Sequence, residues 1–192
     1  MDREVEDLAA VVAAAGGSAY AYGTSSGAAL LLRAAAAGVP ITRLVAFEPP
    51  FVVDDSRKPI PADWVEQLAA REPGDAAKYF MTKGVGLPGF VVAMMRLMPA
   101  WKGMTAVAHT LPYDARVLGD NCFGKPLDAS QWKAIDVPAL IVNGGKSPAH
   151  MRTAIAALAE AVPGARHEVV PGQNHLIKTK AIAPVIRSFL TS

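Results

Sequence analysis

Gly23-Thr24-Ser25-Ser26-Gly27 lies between a strand-like stretch, Ser18-Ala19-Tyr20-Ala21-Tyr22, and a helix-like one running from Ala28 to Ala37. A G-x-S-x-G run between strand and helix is the signature of the nucleophile elbow. This turn is so tight that its serine takes strained backbone angles, with glycines leaving room on either side. The Ser25 hydroxyl is then lifted clear of the sheet, at the positive end of the following helix, where a substrate carbonyl can reach it.

Upstream, residues 4–15 set Val5, Leu8, Val11 and Val12 on one helical stripe, which Gly16-Gly17 closes. Downstream, the Ala/Leu helix ends at Gly38-Val39-Pro40, and a second apolar strand, 43–47, stops at Glu48-Pro49-Pro50. A third strand is expected over 137–142, and Ser147-Pro148 reads as an N-cap and first-position proline opening a helix to Val162. A fourth strand over 166–170, the turn Pro171-Gly172-Gln173-Asn174 and a last helix over 181–190 complete the pattern. That helix turns Ile182, Val185, Ile186 and Phe189 inward. Strands alternating with helices imply an α/β domain, its sheet mainly parallel and covered on both faces.

Residues 51–134 differ in character, holding many of the prolines, most of the methionines and all three tryptophans. Helices are expected near 62–71, 74–82, 88–98 and 102–110. The chain thus divides into a core, 1–50 and 135–192, and a helical insertion within a single domain.

Serine is a weak nucleophile without a base. Of the four histidines, His109 falls in a helix of the insertion, His150 in the helix after the third strand and His167 inside the fourth strand. His175 instead follows a strand, in a loop near the C-terminus. Loops leaving the carboxyl ends of parallel strands gather on one edge, which puts His175 beside Ser25. The base needs a carboxylate to hold its tautomer. Asn143-Gly144-Gly145-Lys146-Ser147, after the third strand, carries none. Glu48 leaves the second strand on the correct edge and is preferred because its strand-end position is fixed. Asp114 is the reserve, and each acid has a plain alternative as a cap, Asp114 for a helix starting at Ala115.

From the elbow through Phe47-Glu48-Pro49-Pro50 to Gly172-Gln173-Asn174-His175, the whole chain resembles the α/β-hydrolase superfamily. The resemblance implies Ser25 as nucleophile, His175 as base, and the Ser26 N–H as an oxyanion donor. Many members place the acid after the later strand, where this chain has Ser147; others, haloalkane dehalogenases among them, place it where Glu48 stands. A dehalogenase requires a carboxylate nucleophile, which Ser25 excludes. The insertion resembles the family's helical cap, whose Phe90, Met94, Met95, Leu97, Met98 and Trp101 would line an acyl pocket or form the cap's own core.

Measured against the family, these 192 residues are expected to supply the later strands without the N-terminal ones and the loop that gives a second oxyanion donor, either as the natural chain or as a piece of a longer one. Loss of one such donor typically costs ~2.7–4 kcal/mol, so weak activity is expected. The elbow strand then becomes an open edge carrying Tyr20 and Tyr22, which two copies of the chain, or a separate N-terminal partner, are expected to cover.

Composition narrows the classes further. Hydrophobic content of 52% with 19% charge fits a packed globule. A net charge of +2 with no basic block argues against nucleic acid and membrane-surface partners. No apolar run approaches a membrane span, the acidic start is unlike a signal peptide, and Cys122 alone permits no internal disulfide, so a cytoplasmic location is expected. Cys122 reads as a small buried hydrophobe. No metal or cofactor is expected. The readings are a serine hydrolase acting on a small-molecule ester through an acyl-enzyme, a non-catalytic binding module on the same fold, and a cofactor-free perhydrolase.

Overall fold

A computed structural model describes residues 2–192. Helix α1 (Asp2–Ala14) leads into β1 (Ala19–Thr24), α2 (Ser26–Ala36) and β2 (Ile41–Phe47). Between β2 and β3 (Ala139–Gly144) come α3 (Trp64–Ala69), α4 (Pro73–Tyr79), α5 (Gly89–Met95), α6 (Ala100–Ala106) and α7 (Leu111–Leu118). The chain closes with α8 (Ala149–Ala161), β4 (Arg166–Val170) and α9 (Thr179–Leu190). The described residues form the α/β-hydrolase fold, with four parallel strands in the order β1-β2-β3-β4 and helices on both faces.

Alternation along the central strands explains the two-sided core. Leu44, Ala46 and Ile141 pack with Leu31 and Leu32 of α2 and Ile155 and Leu158 of α8. Their neighbours Val45, Phe47, Leu140 and Val142 face the other way, onto Ile182 and Phe189 of α9. Each of these Val, Leu, Ile and Phe side chains contributes roughly 1.5–3 kcal/mol when fully buried. Every residue of β3 is buried, as a central parallel strand requires. The outer strands read differently: β1 alternates half-buried alanines with exposed Tyr20 and Tyr22, and β4 exposes Arg166 and His167.

The segment between β2 and β3 shares the core of the sheet's first face, through Trp64 and Leu68 of α3, Ala115 and Val117 of α7, and Trp132 after them. Arg33 of α2 locks α7 in place, its Nε donating to the Val117 carbonyl at 2.5 Å and its Nη2 to that of Leu118 at 3.1 Å.

Three expectations are corrected. The first concerns α7, expected only as a helix starting at Ala115: it begins at Leu111 with a proline in its first turn, so Asp114 lies inside the helix and not at its cap. Secondly, Ser147 is not the cap of α8: the helix begins at Ala149 with Pro148 at its N-cap, one residue later than expected, and the Ser147 hydroxyl donates to Glu48. Lastly, Phe90, Met94, Leu97 and Met98 are all more than half exposed, so they form neither a core nor a closed pocket. Helix α5 turns only Val92 fully inward. No helix among the described residues is long and apolar enough to cross a membrane.

Candidate active site

Strand register brings the site together. Thr24 pairs with Phe47, Phe47 with Val142, and Gly144 with Val170, so the four strands end side by side. The ladder runs one step further: the Ser25 N–H donates to Phe47 O at 2.9 Å, and the Glu48 N–H to Val142 O at 3.1 Å. Ser25, Glu48, the 144–147 turn and the 171–175 loop therefore share the carboxyl edge of the sheet, where parallel sheets bind ligands.

The elbow forms as its motif requires. Ser25 has φ 56° and ψ −130°, and Glu48 has φ 46°. Among the described residues these are the two with positive φ that are not glycine. Backbone strain of this kind costs about 1–3 kcal/mol each and concentrates at functional sites. Only one of the two motif glycines is demanded by space. A Cβ on Gly23 would stand 2.5 Å from the Gly27 carbonyl oxygen and 2.8 Å from the Ala28 Cα, whereas one on Gly27 would meet nothing within 4 Å.

His175 joins Ser25 to Glu48. Its Nε2 lies 3.3 Å from Ser25 Oγ and its Nδ1 2.9 Å from Glu48 Oε2. With Nδ1–H donated to the carboxylate, Nε2 is left to accept the serine proton. The Glu48 side chain is 0% exposed and that of His175 33% exposed. A buried carboxylate survives only with partners, and Glu48 has three. Besides His175, its Oε1 accepts from the Gly144 N–H at 2.8 Å and from the Ser147 hydroxyl at 2.5 Å. The turn without an acid thus still serves the acid, by donating to one that arrives from the neighbouring strand.

A second close approach places the histidine. A Cβ on Gly144 would sit 2.4 Å from the Gln173 carbonyl oxygen, so the glycine lets the 171–175 loop fold against the end of β3. Lys146 N–H then donates to that carbonyl at 2.7 Å.

Asp114 is not brought to His175. It accepts from the Ser26 hydroxyl at 2.7 Å instead. Ser26 opens α2, where the first N–H groups of a helix have no partner within it. The other histidines stay out of the site: His167 Nε2 pairs with Asn143 Oδ1 at 2.7 Å, and His109 Nδ1 contacts Ala106 O at 3.2 Å. Cys122 is fully buried and burial pushes its thiol up to about 12, which makes it inert. The roles of Ser147 and Gly144 were missed from sequence, since a serine before proline looks like a cap and donors to a distant carboxylate leave no local pattern.

An open groove of about 570 Å³ adjoins Ser25 and His175. Tyr22, Leu176, Ile177, Ile182 and Ile186 give it a largely apolar lining, drawn from β1 and the C-terminal segment and not from the helices between β2 and β3.

The profile of the alpha/beta hydrolase family matches residues 1–177. Among solved structures, an alpha/beta hydrolase from Sphaerobacter thermophilus DSM 20745 is 49% identical, with a TM-score of 0.88; the match covers 98% of this chain and 74% of that one. More distant likenesses, which concern the fold alone, include the esterase RhEst1 from Rhodococcus sp. ECU1013, at 19% identity and TM-score 0.61, over 98% of this chain and 71% of that one. The enol-lactonase from Burkholderia xenovorans LB400 is 17% identical at TM-score 0.61, over 98% and 73% of the two chains. Among curated proteins no sequence matches.

Proposed function

We propose that this chain, which belongs to the alpha/beta hydrolase family, cleaves carboxylic esters with Ser25 as nucleophile, His175 as general base and Glu48 as the orienting carboxylate. One observation carries the reading: the unbroken chain of contacts from Ser25 Oγ through the His175 ring to Glu48 Oε2, at 3.3 and 2.9 Å.

In the first step Ser25 Oγ attacks the ester carbonyl carbon while His175 Nε2 takes the hydroxyl proton. The Ser26 N–H, at the positive end of α2, donates to the oxyanion of the tetrahedral intermediate. His175 then returns its proton to the departing alkoxide, leaving an acyl-enzyme on Ser25. Water, deprotonated by the same nitrogen, attacks the acyl carbon, and collapse of the second intermediate releases the acid and restores the serine. Glu48 stays ionised throughout, balancing the imidazolium. The apolar groove supports an acyl group of aliphatic or aromatic character, and residues 51–134 take the place of the helical cap.

Turnover of p-nitrophenyl butyrate tests the reading. Ser25→Ala and His175→Ala are each expected to lower kcat by on the order of 10⁴-fold or more. Wild-type turnover that survives both substitutions overturns it.

A further inference from the structure

We propose that Asp114 is a positioning residue for the oxyanion donor: from helix α7 it holds the Ser26 hydroxyl and thereby aims the Ser26 N–H. The inference rests on the hydrolytic reading above.

The contact spans 88 positions of sequence, with Ser26 Oγ donating to Asp114 Oδ1 at 2.7 Å in a half-buried setting. A hydroxyl held by a carboxylate makes a short, charge-assisted hydrogen bond, roughly twice as strong as a neutral one. Asp114 is itself firmly held. Its helix buries Pro112, Ala115, Val117 and Leu118, and Arg33 ties the C-terminal carbonyls of α7 to α2. Glu48 already occupies His175 Nδ1, which leaves Asp114 free for this different task.

Ser26 follows the most strained residue of the elbow and begins α2. An untethered serine hydroxyl at that place has local backbone groups to bond, an alternative to the aligned helix start. Held by Asp114, the side chain has one rotamer and the peptide before it one orientation. Oxyanion stabilisation depends on such preorganised donors, and small misplacements are costly.

Steady-state kinetics on p-nitrophenyl butyrate with Ser26→Ala, Asp114→Ala, Asp114→Asn and the double variant S26A/D114A test the proposal. Ser26→Ala and Asp114→Ala should each lower kcat about five- to tenfold with KM within about twofold, as expected for one hydrogen bond that matters in the transition state. The double variant should be no worse than either single one. Asp114→Asn, whose amide oxygen still accepts, should recover most of the loss. Additive losses, or an Asp114→Ala effect that Ser26→Ala does not share, would mean that Asp114 only props α7 and would overturn the proposal.

A readout independent of turnover separates this inference from the reading beneath it. The Ser26 amide resonance should move in Asp114→Ala and return towards its native position in Asp114→Asn. An unmoved resonance overturns the positioning role whatever the activity; a moved resonance in a protein with no turnover keeps the positioning and sinks the hydrolase.

Discussion

Ser25 and Glu48 adopt left-handed angles, φ 56° and 46°, where side chains cost energy, and the two strained residues are joined by one histidine. Glu48 shows what the strain achieves: a carboxylate at 0% exposure, met by two donors from the 144–147 turn and one from His175. Glu48→Gln presents an amide NH₂ where acceptor oxygens are required and disturbs the His175 tautomer. Its kcat is expected to fall by on the order of 10³–10⁴-fold with KM little changed, measured on the same butyrate ester. Gly23 and Gly27 make a contrasting pair. Gly23→Ala forces a Cβ to 2.5 Å from a backbone oxygen and should cost stability by about 2 kcal/mol or more, read by urea denaturation. Gly27→Ala meets open space inside a helix and should stabilise by roughly 0.5–1 kcal/mol. The meeting of Ser25, Glu48 and His175 on one sheet edge was legible in the sequence, because two of them follow strand ends and the third lies in the loop that leaves β4. Ser147 and the Ser26–Asp114 contact were not, since both pair residues far apart in sequence across folded elements.

The strands were read to within about two residues, because apolar runs bounded by glycine and proline leave few alternatives. Helix α7 begins four residues before the Ala115 start that a capping Asp114 would give, directly after a 3-10 turn at Ala108–Thr110, and Leu111-Pro112 carried the signal of that earlier start. The stripe Phe90, Met94, Leu97 and Met98 has helical spacing but stays exposed, which the pattern alone could not tell. The β3 end and the histidine loop act as one unit through Gly144. Gly144→Ala pushes against the Gln173 carbonyl from 2.4 Å and should move His175 away from Ser25. Ester turnover is therefore expected to fall by at least about a hundredfold while circular dichroism remains native, the mark of a misplaced base.

Across the molecule, the two outer strands differ in how their open edges are guarded. Exposed Arg166 and His167 place charge and polarity on β4, whereas β1, Ala19–Thr24, has no charged residue and exposes Tyr20 by 57% and Tyr22 by 39%. Uncharged edges pair, and a second copy offers the same groups antiparallel about a twofold axis. We propose that a second copy of this chain, or a separate N-terminal partner, covers the β1 edge: light scattering at micromolar concentration should give twice the chain mass where copies pair, falling to one in Tyr20→Lys, and a wild-type monomer with that edge bare would refute it. Burial of Cys122 makes a separate prediction. With its thiol raised to about 12 in the fold, the unfolded chain loses the proton first as pH rises. The contribution of Cys122 is intact below about pH 8.5 and declines above it by up to roughly 1.4 kcal/mol per pH unit, towards the folded value. Urea midpoints of wild type and Cys122→Ala should therefore converge between pH 8 and pH 10.5.

Fluorophosphonate labelling of the native chain, with the adduct located by mass spectrometry, asks directly whether Ser25 is an activated nucleophile. A single adduct on Ser25, absent from Ser25→Ala and slowed by on the order of a hundredfold or more in His175→Ala, is the predicted result. A folded protein that leaves Ser25 unmodified, or labels it equally fast without His175, would contradict it.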